Sequence, residues 1–113
     1  MKSMLAVMPV LPGKMDAWKQ AINGFSDAPE FKSLAEGAGV SRVRFWTIKT
    51  PDGGDLAIVL HEGDSPENWL DTVMGDQTEV GEKFRAMAVD VHGFTPEAAE
   101  NAPSPVEVAD VTL

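Results

Sequence analysis

Two apolar runs joined by a turn sequence constrain this chain more than anything else in it. Arg42 to Thr50 and Asp55 to Glu62 are rich in Val, Ile, Phe, Trp and Leu, and Pro51-Asp52-Gly53-Gly54 lies between them. Runs of that length and composition read as strands, and Asp-Gly tolerates the positive φ of a type I′ turn, so the segment reads as a β-hairpin. With Asp52 and Gly53 as the turn centre, Pro51 faces Gly54 and facing residue numbers sum to 105. One face then carries Arg44, Trp46, Ile48, Ala57, Val59 and His61, and the other Val43, Phe45, Thr47, Leu56, Ile58 and Leu60. Both faces are apolar, so both need a cover, and helices on one side supply only one.

Around the hairpin the pattern is regular. Ser3 to Val10 is short, apolar and stopped by Leu11-Pro12-Gly13, as a buried strand is. Met15, Trp18, Ile22 and Phe25 recur at steps of three and four and predict a helix from about Lys14. Pro29 interrupts it, with Ser26 or Asp27 placed to cap a restart through Phe31, Leu34 and Ala35 that ends at Gly37-Ala38-Gly39. After the hairpin, Ser65-Pro66-Glu67 opens a short helix carrying Trp69, Leu70 and Val73, broken at Gly75. Thr78 is placed to cap a longer helix whose stripe is Val80, Phe84, Met87, Ala88 and Val91, ending at Gly93. Thr95-Pro96-Glu97 predicts one more helical turn, Ala102-Pro103-Ser104-Pro105 an extended linker, and Val106 to Leu113 a last strand.

The order is strand, helix, strand, strand, helix, strand: an α+β, ferredoxin-like βαββαβ unit with an antiparallel sheet and both main helices on one face. At 113 residues it makes a single domain, residues 1–113. With no cysteine, disulfides and thiolate chemistry are excluded. Residues 1–57 hold seven basic and six acidic groups, and residues 58–113 hold two and twelve. A net charge of −9 argues against nucleic acid and anionic membrane as partners. Lys2 and the apolar run from Met4 to Leu11 are not followed by a small-residue cleavage site, so a cytoplasmic location is expected.

The chain resembles the dimeric α/β-barrel superfamily over nearly its whole length. The resemblance rests on the hairpin from Arg42-Val43-Arg44-Phe45-Trp46 to Asp55-Leu56-Ala57-Ile58-Val59, on Gly63-Asp64-Ser65-Pro66-Glu67, and on Val91-His92-Gly93. In look it is most similar to small bacterial members without an assigned activity. The resemblance implies a homodimer with sheets face to face, which would also bury the second apolar face. It leaves activity open, because the superfamily includes cofactor-free monooxygenases, heme degraders, isomerases and proteins without known catalysis. Heme degraders of this kind use an Asn, Trp and His set with the Asn on the first strand; Ser3 to Val10 has no Asn, and Trp46 lies on the second strand.

Two function classes follow. In one, the protein is non-catalytic and offers at most an apolar pocket between helices and sheet for a small hydrophobic ligand, with Trp18 and Phe84 among its lining, while Trp46 and Val59 are expected beside Arg44 and His61 on the hairpin face. In the other, it is a cofactor-independent monooxygenase or isomerase acting on a small aromatic or quinone-like substrate, with Arg44 and His61 as cross-strand neighbours that orient and protonate it. No cofactor is implied in either. His61-Glu62-Gly63-Asp64 and Asp90-Val91-His92 lack metal-ligand spacing; their charges suit helix termini instead, so no metal is expected.

Overall fold

The computed structural model describes residues 1–95, 97–98 and 104–113. Three strands, β1 (Lys2–Val10), β2 (Val40–Lys49) and β3 (Asp55–Gly63), form one antiparallel sheet in the order β1-β3-β2. Between β1 and β2 run α1 (Met15–Ser26) and α2 (Pro29–Gly37). After β3, a 3₁₀ turn at Pro66–Asn68 leads into α3 (Trp69–Gly75), then α4 (Glu79–His92). Pro29 stands at the start of α2 with the preceding Ala28 extended, which is the restart the proline dictates. Gly93 takes φ +64 after α4, and Phe94 N–H donates to the Ala88 carbonyl at 3.0 Å to close that helix. The N-terminal cap expected of Thr78 is made instead by Asp76, whose carboxylate accepts from Gly81 N–H at 3.0 Å.

Helices α1 to α4 lie on one side of the sheet. Toward them point Met4, Ala6, Met8 and Val10 of β1, Ala57, Val59 and His61 of β3, and Val43 of β2. One core cluster joins Val10, Ala57 and Val59 to Trp18 of α1 and Val91 of α4, with Met15, Ile22 and Met87 against it. A second joins Val40 and Ala38 to Trp69 and Val73, with Phe31, Leu34 and Phe84 against them. The opposite face is open, and Leu5, Val7, Trp46 and Ile48 stand exposed on it beside Leu56, Ile58 and Leu60.

Two expectations from the sequence are corrected here. The hairpin register differs by one residue: Lys49 faces Asp55, Trp46 faces Ile58 and Arg44 faces Leu60, so facing numbers sum to 104. The cause is Pro51. Its φ is fixed near −65°, which suits the second position of an ordinary turn. Gly53 N–H therefore donates to the Thr50 carbonyl at 3.0 Å, Thr50 N–H donates to the Gly54 carbonyl at 2.9 Å, and only Gly53, at φ +87, enters the left-handed region. The loop is three residues, Pro51-Asp52-Gly53, in place of two. A one-residue slip moves every β2 side chain to the other face relative to β3.

The second correction is the last strand. Val106 to Leu113 forms no strand within the chain, and Val106 and Val108 are 82% and 96% exposed. An isolated strand has no partner for its backbone groups, so alternation alone does not produce one. Three of the four expected strands are therefore present. Pro96 and residues 99–103, which include part of the expected helical turn and linker, lie outside the described residues.

Charge divides with the layers. The strands carry four basic residues (Lys2, Arg42, Arg44, Lys49) and two acidic ones (Asp55, Glu62). The other five basic and sixteen of the eighteen acidic residues lie elsewhere in the chain.

Candidate functional site

The corrected register separates residues that a two-residue turn would have joined. Arg44 and Trp46 are on the open face, whereas His61 and Val59 point into the helix layer. His61 faces Val43 across the ladder and lies beside Trp69, ring centroids 6.3 Å apart. Arg44 and His61 therefore do not form one cross-strand site.

On the helix side the aromatic side chains fill the space expected to be a pocket. Trp18 meets Phe45 and His92 edge-on, at 6.2 and 6.0 Å between centroids. Phe84 packs with Phe25, Phe31 and Trp69 at 5.7, 6.3 and 5.9 Å. Trp18, Val59 and Phe84 all belong to the two core clusters. A groove of about 580 Å³ lies between α1 and α4, lined by Ala21, Phe25, Ala28, Val80 and Met87, and holds none of these sequence-derived candidates.

Both histidines are 6% exposed and use the same device. His61 Nδ1–H donates to the Met4 carbonyl at 3.4 Å, and His92 Nδ1–H donates to the Pro9 carbonyl at 2.7 Å. Only a protonated Nδ1 can donate to a carbonyl, which assigns the tautomer of each. Burial lowers the pKa of both below the ordinary 6.5, and the backbone bond offsets part of that fall. The folded chain thus takes up fewer protons than the unfolded chain as pH drops below 6.5. Stability from these groups should be complete above that pH and decline as pH falls toward their lowered folded values. Melting temperature measured from pH 7.5 to 5 should decline, and His61→Gln combined with His92→Gln should flatten the slope. An unchanged slope in the double variant would exclude the histidines as its source.

The open face has its polar groups at one end. Arg44 Nε and Nη2 each lie 3.1 Å from Glu62 Oε1, and the Arg44 guanidinium stands 5.4 Å from the centre of the Trp46 ring. The Glu62 side chain is only 16% exposed, while Trp46 as a residue is 45% exposed. An aromatic plate, a cation and a carboxylate thus border an apolar floor of Leu60, Ile58, Leu5 and Val7. Such a set can stack on the flat apolar side of a small molecule and bond to its oxygen groups. Sequence spacing assigns Glu62 to a helix start and misses this role. The available signal is Pro51, which selects the loop that brings Glu62 onto the Arg44 face. Among the described residues no group of three or more His, Asp or Glu could hold a metal ion.

No family model matches the chain, and no curated protein matches it. Among solved structures, it is similar to the L-rhamnose mutarotase of Formosa agariphila over 100% of both chains, with 16% identity and a TM-score of 0.63. That likeness shows the fold, the ferredoxin-like α+β arrangement. No helix among the described residues is long and apolar enough to cross a membrane.

Proposed function

We propose that this protein is a cytoplasmic homodimer whose open sheet faces close on one another, and that the enclosed space binds a small, largely apolar ligand at Trp46, Arg44 and Glu62. The supporting observation is the open face itself. Leu5, Val7, Trp46 and Ile48 are exposed on a sheet whose helices all pack against the other face. A contiguous apolar face of this kind is uncommon on monomers. The filling of the helix–sheet space by Trp18, Met87 and Phe84 favours a binding protein over an enzyme with its site between those layers.

Light scattering at micromolar concentration should give twice the 12.1 kDa chain mass. Ile58→Lys, which sets a charge in the middle of the face, should give the monomer with its circular dichroism unchanged. A wild-type monomer would overturn the dimer. For the ligand, a panel of small ring compounds is screened by thermal shift, since a binder raises the melting temperature by mass action. Trp46→Ala should abolish that shift, and a full shift in this variant would remove Trp46 from the site.

A second reading, an isomerase acting through acid–base chemistry, is favoured by the Arg44–Glu62 pair: a carboxylate can take a hydroxyl proton and return it. The similar solved protein is a mutarotase of L-rhamnose, which supplies the assay. Polarimetry or saturation-transfer NMR of L-rhamnose anomers should show acceleration that Glu62→Gln removes. Absence of acceleration by the wild type would end that reading for this sugar.

A further inference from the structure

We propose that the groove between α1 and α4 binds a small organic cation, an alkyl or aryl body carrying a protonated amine. The groove lies in the helix layer, so this site needs neither the open sheet face nor the proposed dimer. Its floor is apolar. Ala21 and Phe25 of α1, and Ala28 just after it, meet Val80 and Met87 of α4, and all five are half-buried. A second hollow of about 430 Å³ reaches Leu34 of α2 and shares Glu30, Thr78 and Val80 with the first, which lengthens the trough. Spaces of this size suit a small molecule, whose sites run from about 300 to 1,000 Å³.

The rim sets the sign of the ligand. It carries the carboxylates of Glu30, Asp76 and Glu79 and the amine of Lys83. Lys83 is already paired, its Nζ 3.0 Å from Glu79 Oε1. Asp76 bonds to its own loop, accepting from Gly81 N–H at 3.0 Å and from the Thr78 hydroxyl. Glu30 has no ion pair with any described residue. Two helices also start here, α2 at Pro29 and α4 at Glu79. Each N-terminus counts as roughly +0.5 charge, so the rim as a whole keeps roughly −1. The wider field has the same sign, because the chain carries −9. Residues 104–113 would bring Glu107 and Asp110 to this rim, and a second copy would bring its own acidic helices, so charge disfavours both as occupants.

Gly24 stands on the groove wall, inside α1. A Cβ there would meet nothing within 4 Å, so packing does not require glycine, which weakens a helix interior. Its missing side chain leaves that wall open, and a larger residue at this position would plug the groove without displacing a neighbour.

Octylammonium, octanoate and 1-octanol, all below micelle formation, share an alkyl chain and differ in charge. Titrated at pH 7 into the ¹⁵N-labelled protein, octylammonium should shift the amide signals of Ala21, Gly24, Phe25 and Val80 to saturation. Octanoate should bind at least roughly tenfold more weakly, since it brings a repelled charge to the same rim. Glu30→Gln should weaken octylammonium about threefold or more, and added salt should weaken it in the wild type. Gly24→Leu should abolish the saturable shifts with circular dichroism unchanged, whereas Trp46→Ala, on the open face, should keep them. No saturable shift with the wild type would overturn the groove as a site. Octanoate or 1-octanol binding as tightly as octylammonium would overturn the cation. Full binding by a folded Gly24→Leu variant, or its loss in Trp46→Ala, would place the ligand elsewhere and overturn the proposal.

Discussion

Trp69→Ala should remove about 3–5 kcal/mol of stability, the usual cost of deleting a large buried aromatic. Trp69 opens α3 and is 4% exposed. It touches Phe31 of α2, Phe84 of α4 and His61 of β3, at 5.2, 5.9 and 6.3 Å between ring centroids. One side chain thus ties three helices to the sheet, and its loss leaves a void with lining from every layer. Against a total stability of about 5–15 kcal/mol for domains generally, the variant should be partly unfolded at physiological temperature. Urea denaturation followed by circular dichroism measures this. A loss below about 1 kcal/mol would mean that the helix layer holds without the ring.

Gly63→Ala should be nearly as damaging, for a different reason. A Cβ at Gly63 would stand 2.0 Å from the Gly39 carbonyl oxygen and 3.0 Å from Val40 Cα, all backbone atoms. Gly39 cannot retreat freely, because its oxygen accepts from Ser65 N–H at 3.2 Å and its own φ is +82. The expected loss is on the order of 3 kcal/mol, at the upper end for forced overpacking. Gly24→Ala is the control. Gly24 lies in α1 with nothing within 4 Å of the place a methyl group would take, so alanine there should add about 0.5–1 kcal/mol. The same substitution with opposite signs at two glycines separates backbone contact from helix propensity, and equal urea midpoints would refute the assignment.

Most of the architecture was legible because it rests on local chemistry. The stripe from Val80 to Val91 delivered α4, Pro29 delivered the break between α1 and α2, and the two apolar runs delivered β2 and β3. The apolar character of both hairpin faces was legible too, and the open face is its result. The faces themselves were assigned wrongly relative to each other. Asp-Gly suits a two-residue turn, but Pro51 beside it favours the three-residue loop, and periodicity cannot arbitrate between them when both faces are apolar. That single residue carried Arg44 away from His61 and toward Glu62. The fate of Val106 to Leu113 was illegible for another reason: a strand pattern states what a segment can pair with, and its partner is not written in the segment.

The division of charge between the layers bears on how the molecule behaves when crowded. On the open face, Arg44 is neutralised by Glu62 at 3.1 Å, which leaves Arg42 as the further strand charge on that face. The surplus of acidic groups lies elsewhere, and in a closed pair the helix layers turn it outward on both sides. Each particle is then an acidic shell around an apolar seam. Two such particles would repel one another within a counter-ion atmosphere about 10 Å deep at 0.1 M salt.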